Sequence, residues 1–249
     1  VDLDLNGRVA IVTGASRGLG RAAADALVSE GVRVLAVARD AEKLAQLERA
    51  HPEMIMAMTC DMRDLAAVSA LADRAVERFG GLDIVVNNAG IAPAASFADQ
   101  EWSTWSDVLA VNVTAPAVLT QSAGRRFIEQ GSGKVINVVS TSGLRGKPGL
   151  VAYSASKGAL IRFTEALGAE WAPLGIQVNA IAPGAFATDA QHAVTSDPEL
   201  LARRIRKIPA RRMGAPAEFG PLVAFLASAA ANFVSGSTFV IDGGEVNKL

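Results

Sequence analysis

The chain is short of the residues that most often carry chemistry. It has one cysteine, Cys60, two histidines, His51 and His192, and one tyrosine, Tyr153. A lone cysteine forms no internal disulfide. With two histidines it cannot supply a Cys/His cluster, so no metal is expected. Cys60 reads as a core residue, not a nucleophile. No apolar run reaches transmembrane length, which argues against a membrane protein. Neither sign of charge dominates: 24 Lys and Arg stand against 25 Asp and Glu, spread along the chain. That balance gives nucleic acid or an anionic membrane nothing to hold. Residues 1–5 show neither the basic nor the apolar stretch of a signal peptide, and a cytoplasmic location is expected. Internal repeats and low-complexity linkers are missing too, so residues 1–249 are read as one domain.

What is present is apolar and periodic. Half the residues are hydrophobic. Residues 8–13 form a β-branched run, then come Gly14, Gly18 and Gly20, then an alanine-rich helix over 21–30 stopped by Gly31. Strand, glycine turn and helix together aim backbone N–H groups at a phosphate, although a turn of this kind is also a plain tight connection. Strands follow at 32–38, 54–59, 83–86, 134–139, 176–182 and 239–241. Helices are expected at 41–50, 65–79, 102–129 (bent near Pro116), 158–171, 199–207 and 217–228. Alternating strands and helices joined by short loops predict a parallel sheet covered on both faces. Ligands bind such sheets at the carboxyl ends of the strands, where Gly14, Ala38, Asp61 and Asn88 fall. The polar stretch around 185–212 reads as a flap over that site.

Tyr153 and Lys157 lie one helical turn apart and share a face. A free phenol, with a pKa of roughly 10, is a poor acid or base at neutral pH. A neighbouring cation favours phenolate and brings it toward the working range. Alone, the pair more often is a buried helix-start tyrosine beside a surface lysine.

The ordered set Thr13-Gly14-Ala-Ser16-Arg17-Gly18-Leu19-Gly20, Asn87-Asn88-Ala89-Gly90, Asn112, Ser140, Tyr153-x-x-x-Lys157 and Pro183-Gly184 resembles the short-chain dehydrogenase/reductase family over essentially the whole chain. The resemblance implies a doubly wound, Rossmann-type sheet of seven parallel strands, hydride transfer between NAD(P)(H) and a carbonyl or alcohol, and a homotetramer. Tyr153 would be the general acid, Ser140 would hold the substrate oxygen, and Lys157 would lower the Tyr153 pKa and grip the nicotinamide ribose. Asn112 would hold a water that relays protons to Lys157. The glycine turn with Ser16, Arg17 and Leu19 would cradle the diphosphate. Asp61 and Met62 would meet the adenine, Asn88, Ala89 and Gly90 the adenosine side, and Phe186 and Thr188 the nicotinamide amide and diphosphate. Asp61 also fits an N-cap.

Where NAD-preferring relatives carry an acid, this chain has Ala38, followed by Arg39, with Arg17 nearby. NADP(H) is therefore the preferred cofactor, with NAD(H) possible because Asp40 stands next in line. Arg145 and Lys147, in the loop after Ser140, are candidates for a substrate carboxylate. The stretches 177–184 and 209–214 look like gluconate 5-dehydrogenase and its sugar-acid relatives. A 3-oxoacyl-carrier-protein reductase is the alternative, although Gly131 and Leu174 stand where those enzymes carry basic residues. A non-catalytic dinucleotide sensor would not need the full tetrad. A sugar-nucleotide epimerase would need a further substrate domain, and five residues follow Gly244. Leu109, Val113, Leu119, Leu160, Phe163 and Leu167 are the candidate stripe for subunit contact.

Overall fold

The computed structural model describes residues 3–247. Val1, Asp2, Lys248 and Leu249 lie outside the described residues, and with them both ends of the expected domain and the start of the N-terminal stretch. In chain order the elements are β1 (Val9–Thr13), α1 (Gly18–Ser29), β2 (Arg33–Ala38), α2 (Ala41–Ala50), β3 (Ile55–Thr59) and α3 (Leu65–Phe79). Then come β4 (Ile84–Asn87), α4 (Trp102–Leu109), α5 (Ala115–Gln130), β5 (Gly133–Val138), α6 (Thr141–Leu144) and α7 (Val151–Trp171). The chain closes with β6 (Ile176–Pro183), α8 (His192–Thr195), α9 (Pro198–Ile205), α10 (Gly220–Ala227) and β7 (Thr238–Ile241).

The seven strands pair in parallel in the order β3-β2-β1-β4-β5-β6-β7. Side chains alternate across each strand. In β1, Ala10 and Val12 face Leu27 of α1, Leu44 of α2 and Val223 of α10. Val9 and Ile11 face the opposite layer, with Leu71 of α3 and Leu119 and Phe127 of α5. This two-sided burial explains why the central strands are continuous apolar runs. Each fully buried Leu or Phe is worth about 1.5–3 kcal/mol.

Helix ends follow local chemistry. Asp40, Asp64 and Asp197 each cap a helix N-terminus by accepting a backbone N–H. Gly80 and Gly131 take left-handed conformations (φ +81° and +66°) that close α3 and α5, a region that only glycine enters freely.

Five expectations change in detail. Helix α7 begins at Val151, seven residues before the expected start at 158, and so carries Tyr153 as well as Lys157. Helix α1 begins at Gly18, three residues early, so Gly18 and Gly20 lie in its first turn. The expected 102–129 helix is α4 and α5 joined by a π-helical turn, Ala110–Thr114, with Asn112 at its centre. Pro116, one turn on, has no N–H to give the Asn112 carbonyl, so the α-helical ladder cannot continue there. The irregularity thus precedes Pro116 and falls on Asn112. The 217–228 helix splits into a 3₁₀ turn, Pro216–Glu218, and α10. Of the candidate contact stripe, Leu119 and Leu160 are buried in the protomer's own core.

Candidate active site

The strand order reverses around β1, so the carboxyl ends of β1 and β4 flank a crevice. Asn88, just past β4, seals its floor. Its Nδ2 donates to Thr13 O (2.9 Å) and Gly14 O (3.3 Å). Thr13 Oγ1 accepts from the N–H groups of Asn88 and Ala89, both at 3.0 Å. A methyl at Gly20 would come within 2.2 Å of Gly14 O, so the turn closes only on hydrogen. Gly14 and Gly18 hold positive φ. No side chain caps α1, whose N-cap is Arg17. Its first-turn N–H groups, beside Ser16 and Leu19, are open to an anion.

Arg17, at the N-cap of α1, and Arg39, just past β2, are exposed, and neither makes a side-chain hydrogen bond or ion pair among the described residues. Asp40 is spent: its Oδ1 caps α2 at Lys43 N, 3.1 Å, and Lys43 Nζ lies 3.9 Å from its Oδ2. Asp61 is clamped by Arg63, with Nη2 to Oδ2 at 2.6 Å and Nε to Oδ1 at 3.1 Å. That guanidinium pulls the Asp61 carboxyl down to about 2. Asp61 also accepts the Arg63 N–H at 2.9 Å and so does not cap α3, a task that falls to Asp64. Met62 is buried beside it.

Four side chains come together deeper in the crevice, from the end of β5, from α7 and from the π turn that carries Asn112. Lys157 is buried and donates to Val138 O at 2.7 Å. Burial pushes its ammonium down to about 8. Its Nζ lies 5.8 Å from the centre of the Tyr153 ring. Burial also pushes the Tyr153 phenol above its ordinary value, and a hydrogen bond with Ser140 pulls it part of the way back. Burial thus biases the phenol and the ammonium alike toward their neutral forms. Ser140 Oγ also accepts from Ser142 N at 3.0 Å, which starts α6.

Asn112, fully buried on its π turn, spends its amide on protein. Oδ1 accepts from Ile91 N (2.9 Å), and Nδ2 donates to Ile91 O (2.9 Å) and Ser156 Oγ (3.0 Å). Both of its amide N–H groups are thus taken by protein. Gly90 lies between the two: a methyl there would stand 3.3 Å from Asn112 Oδ1 and 3.5 Å from Lys157 Nζ.

Other predicted residues sit at the rim. Gly184, after Pro183, packs so tightly on Asp242 that a methyl would approach its Cβ to 2.5 Å. Thr188 covers Gly18, whose added methyl would lie 3.4 Å from the threonine Cβ. Phe186 is 5 % exposed, its ring edge-on to Phe219 at 6.1 Å. Its ring faces the core, so only its backbone is offered to a cofactor. Arg145 and Lys147 are exposed in the loop leading to α7 and are not drawn into the tetrad. Sequence reading missed Arg63 and Ser156. The spacing Asp61-x-Arg63 is a usable signal for a clamped carboxylate, while nothing in the sequence marks Ser156.

Comparison with known proteins agrees with this geometry. Residues 14–245 match the family model described as enoyl-(acyl carrier protein) reductase. The 2-dehydro-3-deoxy-D-gluconate 5-dehydrogenase of Escherichia coli K12 is 37 % identical over 244 residues, 96 % of each chain. The D-threitol dehydrogenase of Mycolicibacterium smegmatis is 36 % identical over 246 residues, covering 98 % of this chain and 94 % of the relative. A crystal structure of gluconate 5-dehydrogenase from Burkholderia cenocepacia J2315, in complex with NADP and tartrate, superposes with a TM-score of 0.92. It is 34 % identical and covers 98 % of this chain and 97 % of that one.

Proposed function

The chain belongs to the short-chain dehydrogenase/reductase family, and from that premise we propose that it interconverts a ketone and a secondary alcohol on a small sugar acid, using NADP(H). The observation that carries the reading is the convergence of Ser140, Tyr153, Lys157 and Asn112 behind an uncapped glycine turn. The cofactor fits this chain's own residues: open N–H groups on α1 suit the diphosphate, and unspent Arg17 and Arg39 suit a 2′-phosphate. When bound, it supplies or accepts the hydride.

The protein's residues handle the proton. Ser140 and the Tyr153 hydroxyl donate hydrogen bonds to the substrate oxygen. A phenol that burial keeps protonated is ready to give its proton as that oxygen becomes an alkoxide. Lys157 then supplies charge to the phenolate left behind, and the Asn112 carbonyl holds the water that returns a proton. Asp61 and Met62 receive the adenine, Asn88, Ala89 and Gly90 flank the adenosine side, and Pro183, Gly184, Phe186 and Thr188 border the nicotinamide end.

Arg145 and Lys147 meet the substrate carboxylate, and the flap over 185–212 closes on it. The tartrate and gluconate named for relatives support an acidic polyol. A thioester on a carrier protein is the second reading, favoured by the matched family's description. Among the described residues no helix is long and apolar enough to cross a membrane. The reading includes a cytoplasmic homotetramer.

Tyr153→Phe tests the assignment. Turnover of a keto-sugar acid with NADPH should fall at least ~100-fold, the size of a lost general acid, with NADPH affinity within about twofold. Turnover retained in Tyr153→Phe rejects the catalytic reading. Faster turnover of an acetoacetyl thioester than of any keto-sugar acid moves the substrate to the second reading.

A further inference from the structure

Ser156 belongs to no motif quoted above, yet it is fully buried between two catalytic elements. Its hydroxyl donates to Tyr153 O, 2.7 Å away, one turn back on α7. With its only proton spent there, the oxygen is free to accept, and it accepts from Asn112 Nδ2 at 3.0 Å. Asn112 in turn pins both backbone groups of Ile91. Gly90, immediately before Ile91, fills the gap between Asn112 and Lys157.

One hydroxyl thus ties the π turn to the turn of α7 that carries Tyr153 and Lys157. An α-helix would have carried Asn112 past this face. The inserted residue of the π turn and the missing N–H of Pro116 leave its amide facing α7. Removing the hydroxyl strands an N–H of Asn112 in a site with no solvent to replace the partner.

We propose that Ser156 is a positioning residue for the catalytic group, acting through Asn112 to set the distance between the π turn and the Tyr153–Lys157 pair. The proposal rests on the roles given above to Tyr153, Lys157 and Asn112. It assigns Ser156 no contact with substrate or cofactor.

The test is a double-mutant cycle of Ser156→Ala with Asn112→Ala on the full chain. Steady-state turnover is read together with hydrogen exchange at the Ile91 amide. Ser156→Ala should lower kcat about tenfold, equivalent to ~1.4 kcal/mol. KM for NADPH should stay within about twofold, and exchange at Ile91 should quicken. In the Asn112→Ala background, Ser156→Ala should cost no further turnover.

If Ser156→Ala fails to fold, Ser156→Cys keeps the volume with a poorer acceptor and should show a smaller loss in the same direction. Wild-type kcat and unchanged Ile91 exchange in whichever variant folds overturn the proposal. So do losses that simply add in the double variant. If Tyr153→Phe proves fully active, the catalytic reading fails instead. The exchange experiment still reports whether Ser156 holds Asn112, so the two failures are told apart.

Discussion

Two exposed arginines and one buried lysine carry much of the charge in and around the proposed site. Arg39, just past β2, and Arg17, at the N-cap of α1, are exposed and make no side-chain hydrogen bond or ion pair among the described residues, although Arg39 helps hold the Asp61 carboxyl down, while Asp40 is committed to the α2 cap. In the proposed NADP(H) site, a 2′-phosphate would find two guanidiniums with no carboxylate ion-paired to them and an Asp40 already engaged. One charge-assisted bond is worth ~1.5–3 kcal/mol. Arg39→Ala should weaken NADPH roughly ten- to a hundredfold and leave NADH nearly unchanged, which kcat/KM for the two cofactors on one ketone measures. A wild-type preference for NADH would overturn the assignment. Lys157 makes a different prediction. Burial lowers its pKa from 10.5 to about 8. Between those values the unfolded chain binds more protons than the native one, so stability rises with pH across that window. Below pH 8 the full cost of burying the charge is present, about 3 kcal/mol at ~1.4 kcal/mol per unit. Tyr153, raised above 10.0, acts oppositely and only above pH 10. Urea unfolding of wild type and Lys157→Met should therefore show the variant's advantage at pH 7.5 shrinking by pH 10. A constant difference across that range would show that Lys157 is not held at a depressed pKa.

At the scale of elements, the strands and the helices α2 and α3 were legible to within a residue or two, because their apolar periods and flanking turn residues agree. The glycine turn, Asn88 and the Tyr153–Lys157 pair were legible because their spacing is local or rests on strand ends. What was not legible depends on packing between distant segments. The π turn at Asn112 is invisible in a pattern that reads as one long helix, and Pro116 marks only its neighbourhood. Asn87 and Asn137 sit in apolar strands, and their side-chain amides donate to Thr120 and Thr164, 33 and 27 positions away, with Asn87 also donating to Asn137. No local pattern predicts such a chain of hydrogen bonds. Burial is of the same kind: sequence places Lys157 beside Tyr153 but does not show that both are buried, which pushes the phenol up and the ammonium down. The flap shows the limit in another form. Its polar composition suggested mobility, yet Ile208 and Phe186 are buried at its base and Arg204 pairs with Glu245 beyond β7. Only its middle, around α8 and α9, has the exposed surface that a moving segment requires.

For the whole molecule, the open question is what covers its apolar surface. The half-buried Leu109, Val113, Phe163 and Leu167 are joined by residues the sequence did not single out. Phe233 is 104 % exposed, Trp102 71 %, Phe97 52 % and Val240 41 %. Val240 lies on β7, the last strand of the sheet, whose four residues Thr-Phe-Val-Ile carry no charge. An unprotected edge strand with exposed apolar side chains pairs with another chain unless something blocks it. The proposed tetramer supplies two kinds of cover, one at the β7 edge near Phe233 and one along α4, α5 and α7. The two should be separable by mutation. Val240→Lys with Phe233→Ser places charge and polarity on the β7 side alone and should halve the assembly. Equilibrium sedimentation should give about four times the 25.8 kDa chain mass for wild type and about twice for the variant. Turnover per site should persist, because the catalytic group lies within one protomer. A wild-type species at the mass of a single chain would remove the tetramer, and a variant that remains tetrameric would move the contact away from β7.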